Sequence, residues 1–288
     1  MVRTRFVEGS AGVRLAVDES GPASGAPSIL FVHGLAQGRG SWEEVLRGRL
    51  AERHRLVAID LRGHGDSDKP EGDAPYVEGV HFAGDLEAVI QRLGLIRPVV
   101  VAWSYGGVVV GDYLRRHGDD ALGGLFFVAA ALKTGKPARA LFGPGMMSNA
   151  RGLMSEDGAT YEASARAFVE ACAAGKLDAS RVDASVRAML RVPVNVRRAL
   201  LSRAEDYSVE LERCRRPVAT LHGELDQVVL PAMSREVVLA CARSEQGTWL
   251  PGLGHVPFLE ATPRFEDALE SFVAQGRVSA EPGAAAGV

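Results

Sequence analysis

The sequence predicts an α/β protein, in which a mostly parallel central sheet carries helices on both faces and is interrupted by an inserted helical segment. Three observations predict this. Short apolar runs such as Ser28 to Val32, Arg55 to Ile59 and Val99 to Trp103 suit strands buried on both faces, the habit of parallel sheets. Between them lie helical stretches long enough for crossover connections. From Ala131 to about Arg213 the alternation stops, and only helical periodicity remains.

Composition bounds the rest. A chain of 288 residues that is 47% hydrophobic can bury a substantial core. Its net charge of −3 leaves no basic excess to neutralise phosphates, which argues against a nucleic-acid partner. The opening MVRTRFVEGS lacks the apolar stretch of a secretory leader, and no run approaches the length of a membrane span, so no membrane association is expected. Cys172, Cys214 and Cys241 are odd in number and show no CxxC spacing, so neither a disulfide framework nor a zinc site is expected. A reducing, cytoplasmic setting fits that usage. Oligomeric state is left open.

In chain order, Arg3 to Glu8 and Val13 to Asp18 alternate with period two around a Gly-Ser-Ala-Gly turn and predict a hairpin at one sheet edge. After a loop, Ser28 to Val32 is the first buried strand and delivers His33-Gly34-Leu35-Ala36. Ser41 to Glu52 places Trp42, Val45, Leu46 and Leu50 on one face, which predicts a helix. Arg55 to Ile59 is a strand running into Asp60, Gly79 to Leu93 a helix, Val99 to Trp103 the central strand and Leu122 to Ala129 the next. In the inserted segment Ala163, Ala167, Phe168 and Ala171 form one apolar stripe, and Val186, Met189 and Leu190 a second. Val196 to Ala204 forms a third, with Pro193 separating the last two. Strand character resumes at Pro217 to Leu221. Then come a helix from Pro231 to Ala242, a strand at Gln246 to Leu250 and a closing helix from Pro263 to Val273. From Gly276 the chain is small and polar enough for a flexible tail.

The stretch that carries chemistry is Val99 to Val110, VVVAWSYGGVVV. Ser104 falls on a sharp turn between a buried strand and a helix, with the small residues Ala102 and Gly106 two positions to either side. Such a serine projects its hydroxyl into the open, with backbone N–H groups of the next turn facing the same spot. That is the geometry of a nucleophile. The same pattern also suits a serine that only caps the helix.

This stretch resembles the nucleophile elbow of the α/β-hydrolase family, with Ala102 where a glycine is most common. Three more stretches carry the resemblance: His33-Gly34-Leu35, the turn from Asp60 to Ser67 (DLRGHGDS), and Gly252-Leu253-Gly254-His255 followed by Pro257-Phe258-Leu259-Glu260. The family order of serine, acid and histidine implies Ser104, Asp226 and His255 as the catalytic residues. Asp226 and His255 each follow a late strand, where sites of α/β sheets form. Some relatives place the acid after the strand that follows the elbow helix, but here that strand ends in Ala129-Ala130-Ala131-Leu132-Lys133, which has no carboxylate. Glu224 is the nearest rival.

The resemblance also implies an oxyanion hole from the backbone N–H groups of Leu35 and Tyr105, and it makes residues 131–213 a helical cap. The core is then 1–130 and 214–275, with 276–288 as the tail. His33 reads as a structural pin for its loop, and Asp60, His64 and Asp66 as a local network. His54, His81 and His117 read as surface groups, and His222 as packing beside the acid loop.

These residues imply a serine hydrolase that cleaves carboxylic ester or lactone bonds of small to medium uncharged substrates through an acyl-enzyme, with no metal or organic cofactor. Leu35, Trp103, Tyr105, Phe142, Met146, Met147 and Val256 are the candidate pocket residues. Dehalogenases and epoxide hydrolases of the family use an aspartate where this chain has Ser104. Three alternatives stay open: a cofactor-free haloperoxidase or perhydrolase on the same residues, a carbon–carbon bond hydrolase, and a non-catalytic ligand-binding protein.

Overall fold

The predicted hairpin forms as β1 (Arg3–Glu8) and β2 (Arg14–Ser20), which pair antiparallel. The remaining strands are β3 (Ser28–Val32), β4 (Arg55–Ile59), β5 (Val99–Trp103), β6 (Gly124–Val128), β7 (Val218–Gly223) and β8 (Thr248–Leu250). Together they make one eight-stranded sheet in the order β1-β2-β4-β3-β5-β6-β7-β8. All pairings from β4 to β8 are parallel, and β2 joins β4 antiparallel. The structure is a computed structural model and describes residues 1–22, 26–241 and 247–278. Ala242, Gln246 and residues 279–288 of the expected tail lie outside the described residues.

Every residue of β3, β5, β6 and β7 is buried, which is why β5 and β6 are apolar without alternation, while β7 buries Thr220 and His222 among its apolar residues. The main helices are α1 (Glu43–Arg47), α2 (Gly79–Arg92), α3 (Gly106–His117), α4 (Gly158–Ala171), α5 (Ala179–Leu190), α6 (Val194–Ser202), α7 (Pro231–Ala240) and α8 (Thr262–Val278). On one sheet face, Phe126 packs edge-on against Phe265 and tilted against Phe272 of α8, while Phe31 and Trp103 meet Trp42. Phe127, the next residue of β6, points to the opposite face, where α2 and α3 pack on each other. Among the described residues no helix is long and apolar enough to cross a membrane.

Several elements differ from expectation. The stretch 41–52 is not one helix: Gly48 stands in extended backbone (ψ −172°) between α1 and a 3₁₀ turn at Arg49–Glu52, a break consistent with the cost of glycine in a helix. The buried face of α4 is Tyr161, Ala165, Phe168 and Val169, not the alanines 163, 167 and 171. Alanine fits either face of a helix, so the bulky residues set its rotation. Leu190 is likewise exposed, and α5 buries Val182, Val186 and Met189. The last helix runs on to Val278. His54 is not a surface group; it is buried, with Nε2 3.2 Å from both carboxylate oxygens of Glu270 on α8.

Candidate active site

Ser104 follows β5 directly and has φ +54°, in the left-handed region that costs a non-glycine residue free energy. The surroundings impose it. The Ser104 N–H donates to the Val128 carbonyl (3.1 Å), and its own carbonyl accepts from Gly107 (2.9 Å) and Ala131 (2.9 Å). A Cβ at Gly106 would stand 2.7 Å from the Val32 carbonyl oxygen, so only glycine lets α3 start against β3. At Gly34 a Cβ would stand 2.9 Å from Ser104 Cβ, and the loop after β3 therefore lies against the serine.

The structure brings the three predicted side chains together. Ser104 Oγ is 2.9 Å from His255 Nε2, and His255 Nδ1 is 2.7 Å from Asp226 Oδ2. A carboxylate only accepts, so Nδ1 carries the proton and Nε2 is left to accept from the serine hydroxyl. Asp226 is 1% exposed, and its Oδ1 accepts from the N–H groups of Val228 (2.7 Å) and Val229 (3.1 Å). Burial pushes its carboxyl up, but His255 and His222 pull it further down, to a net position below the usual carboxylate range. Asp226 is therefore ionised at neutral pH. Glu224, the rival acid, is exposed.

The loop of His255 is held from three sides. Its N–H donates to the Cys172 carbonyl (2.6 Å), and its carbonyl accepts from Trp103 Nε1 (2.9 Å). Glu260 bridges the Gly254 N–H (2.8 Å) and the Ala174 N–H (2.9 Å). Residues of the inserted segment thus touch the histidine loop directly.

Above Ser104 opens a cavity of about 780 Å³, within the range that holds small-molecule ligands. Leu35, Tyr105, Phe142, Met146 and Met147 line it, as predicted. Trp103 and Val256 do not, which corrects the expected pocket. At the end of β5 the Trp103 side chain takes the face opposite the serine and packs on Trp42 and Phe258, while Val256 is buried where the histidine loop turns into Pro257–Glu260. Sequence reasoning missed Met154, Phe168, Leu200, Leu201, Val228 and Val229. Phe168 was legible as part of a stripe, but its facing the cavity was not. Lys136, Arg139 and Arg203 also line the cavity, and among the described residues no carboxylate does. Arg203 is neutralised by Asp112 (2.6 and 2.9 Å) and Glu205 (3.0 Å). The N–H groups of Leu35 and Tyr105 enter no loop or cap hydrogen bond among the described residues.

The two loops beneath the site are pinned as expected. His33 Nδ1 donates to the Gly34 carbonyl (2.8 Å), and Nε2 accepts from the Leu61 N–H (3.1 Å). Arg39 bonds Asp60, Asp66 (2.7 Å) and Asp18 (3.0 Å), and the Asp66 N–H donates to Asp60 (2.8 Å). Burial holds His33 down to about 4, against a partial lift from the Gly34 carbonyl. Burial, with His33 adjoining, holds His64 down to about 3. Both histidines bind protons more readily unfolded, so the stability from keeping them neutral is complete above about pH 6.5 and drains as pH falls toward 4 and 3. Each site is expected to cost about 2 kcal/mol between pH 6.5 and 5. Urea midpoints at pH 7 and pH 5 check this, and equal midpoints would refute it.

A profile of the alpha/beta hydrolase family matches residues 29–268. The chain is 31% identical to an esterase of Rhodococcus sp. ECU1013 whose solved structure matches with a TM-score of 0.88, over 94% of this chain and 98% of that one. A 116-residue stretch is 41% identical to EphD of Mycobacterium tuberculosis and covers 40% of this chain but 19% of EphD, so the match spans about a fifth of that relative's length. A stretch of 113 residues is 36% identical to a non-heme haloperoxidase of Rhodococcus erythropolis, covering 39% of each. With the sheet order, the turn at Ser104 and a family profile running through nearly the whole fold, the chain belongs to the alpha/beta hydrolase family.

Proposed function

We propose that the protein is a serine esterase of small to medium carboxylic esters or lactones with apolar acyl groups. The observation that carries this reading is the chain of contacts from Ser104 Oγ through His255 to Asp226 at the floor of a largely apolar cavity. His255 Nε2 takes the Ser104 proton as Oγ attacks the acyl carbonyl carbon. The Leu35 and Tyr105 N–H groups hold the oxyanion, Asp226 stabilises the imidazolium, and His255 returns the proton to the leaving alcohol oxygen. Water, deprotonated by His255, then cleaves the acyl-enzyme and restores Ser104. Residues 131–213 act as a cap that shapes the acyl pocket, through Phe142, Met146, Met154 and Phe168. The cationic lining, which among the described residues includes no carboxylate, disfavours cationic esters.

The test is a series of p-nitrophenyl esters from acetate upward. Saturable hydrolysis with the highest kcat/KM at a medium acyl length is expected, and no hydrolysis at any length would overturn the reading. The local similarity to a haloperoxidase favours a second reading, perhydrolysis, in which hydrogen peroxide replaces water as the acyl acceptor. Halogenation that depends on both peroxide and acetate would identify it.

A further inference from the structure

Asp226 answers to a second histidine. His222 lies within β7, four residues before Asp226, and its ring is fully buried. Its Nε2 stands 2.9 Å from Asp226 Oδ2 and 2.8 Å from the Val229 carbonyl oxygen. Both are acceptors only, so Nε2 carries a proton. Nδ1 is 2.7 Å from Ser234 Oγ on α7 and accepts from that hydroxyl when the ring is neutral. A continuous chain results: Ser234, His222, Asp226, His255, Ser104.

The carboxylate is thereby saturated. Oδ1 takes two backbone N–H groups, and Oδ2 takes two imidazole N–H groups, at 2.7 Å from His255 and 2.9 Å from His222. Four donors occupy its four lone-pair sites. Because the ring of His222 also holds the Val229 carbonyl, and the Val229 N–H holds Oδ1, it closes the loop 226–229 on itself. Among the described residues the Trp249 ring also lies nearby, 6.4 Å away between centroids and itself under Arg235 (5.2 Å), as does the Cys172 thiol beside Asp226. Burial keeps that thiol neutral.

We propose that His222 is a positioning residue for the reaction, fixing the plane of the Asp226 carboxylate and sharing the charge of the oxygen that faces His255. The inference rests on the roles given above to Ser104, His255 and Asp226. Sharing matters because each hydrogen bond to Oδ2 spreads its negative charge. With His222 removed, Oδ2 concentrates its charge on His255 and raises that imidazole's basicity, while the carboxylate loses its fixed plane.

The experiment compares H222Q, H222N and H222A with wild type and S104A, on an ester that wild type hydrolyses. Glutamine carries its amide nitrogen to the place of Nε2 and keeps the donation to Asp226. Asparagine is one methylene shorter, keeps a polar group by Ser234 and does not reach Asp226. H222A repeats the loss should the buried asparagine prevent folding. Expected for H222N and H222A are a kcat lower by about 10- to 100-fold, KM within about twofold of wild type, and an acid midpoint of the kcat/KM pH profile moved up by about half a unit to one unit. H222Q stays within about threefold of wild type with its midpoint in place.

Histidine NMR titration of His255 in the S104A background reads the same midpoint without turnover. An H222A protein that folds and keeps the wild-type midpoint overturns the inference, as does H222Q behaving like H222N. If S104A is inactive while the His222 variants match wild type, only the positioning role falls. If S104A stays active, the reading of Ser104 falls and takes this inference with it.

Discussion

Ser104→Ala is expected to lower kcat/KM for ester hydrolysis by about 10⁴-fold or more, equivalent to at least about 5 kcal/mol of transition-state stabilisation. On the proposed mechanism the substitution removes the atom that attacks the acyl carbonyl and leaves the rest of the site in place. Among the described residues Ser104 Oγ makes one side-chain hydrogen bond, to His255 Nε2, where the cavity opens. Its loss leaves Nε2 accessible to water, so the fold is expected to tolerate it. Alanine meets the same φ of +54° that serine already accepts, and the backbone bonds to Val128, Gly107 and Ala131 are unaffected. The measurement is initial-rate kinetics on p-nitrophenyl esters, with thermal melts to confirm folding. An alanine variant that keeps more than a few per cent of wild-type activity would show that another group performs the attack.

The second large effect is expected at Asp226. Asp226→Asn should lower kcat by about 10³- to 10⁴-fold, the scale found when an orienting carboxylate becomes an amide. The cause here is particular to the donors. Oδ1 faces the N–H groups of Val228 and Val229, and Oδ2 faces those of His255 and His222. An amide NH₂ therefore meets two donors whichever way it is turned. If it faces His255, the imidazole must move its proton to Nε2 and no longer accepts from Ser104. If it faces the loop, the Val228 and Val229 amides are left unpaired, at a cost of about 1–3 kcal/mol for each buried group. KM is expected to change little, since Asp226 is not part of the cavity lining. Near-normal kcat in a folded Asp226→Asn protein would move the acid's role elsewhere, and Glu224, the rival acid, is exposed.

The legible part of this fold follows from local physics. Residues in β5 and β6 are apolar without alternation because both faces of the sheet are covered, whereas the edge strand β1 is exposed along its length except at Val7. The turn at Ser104 was readable because close backbone approach admits only small residues at Ala102 and Gly106. The order of Ser104, Asp226 and His255 was readable by resemblance, since each stands in a loop after a strand whose position in the sheet the topology dictates.

Other features needed the folded chain. Trp103 and Tyr105 flank the same serine, yet Tyr105 lines the cavity while Trp103 buttresses the carbonyl of His255; the sharp turn, which the sequence marks only as a turn, decides the side. On α4 the sequence offers alanines on several faces, and packing against the core chooses Tyr161, Ala165, Phe168 and Val169. His54 and His222 look like any histidine beside a helix or a strand end until α8 brings Glu270 to one and the acid loop brings Asp226 to the other.

By itself, then, the sequence determined the alternation of strands and helices, the sharp turn at Ser104 and, by resemblance, the serine, acid and histidine proposed to act together. Tertiary structure alone decided which apolar residues form the wall, which histidine meets Asp226 from behind, and how the segment 131–213 rests on the loop of His255. The physical reason is range. Backbone conformation and burial pattern are written within a few neighbouring residues, whereas the partner of a side chain is set by contacts between segments such as Cys172 and His255, which meet only when the sheet has formed.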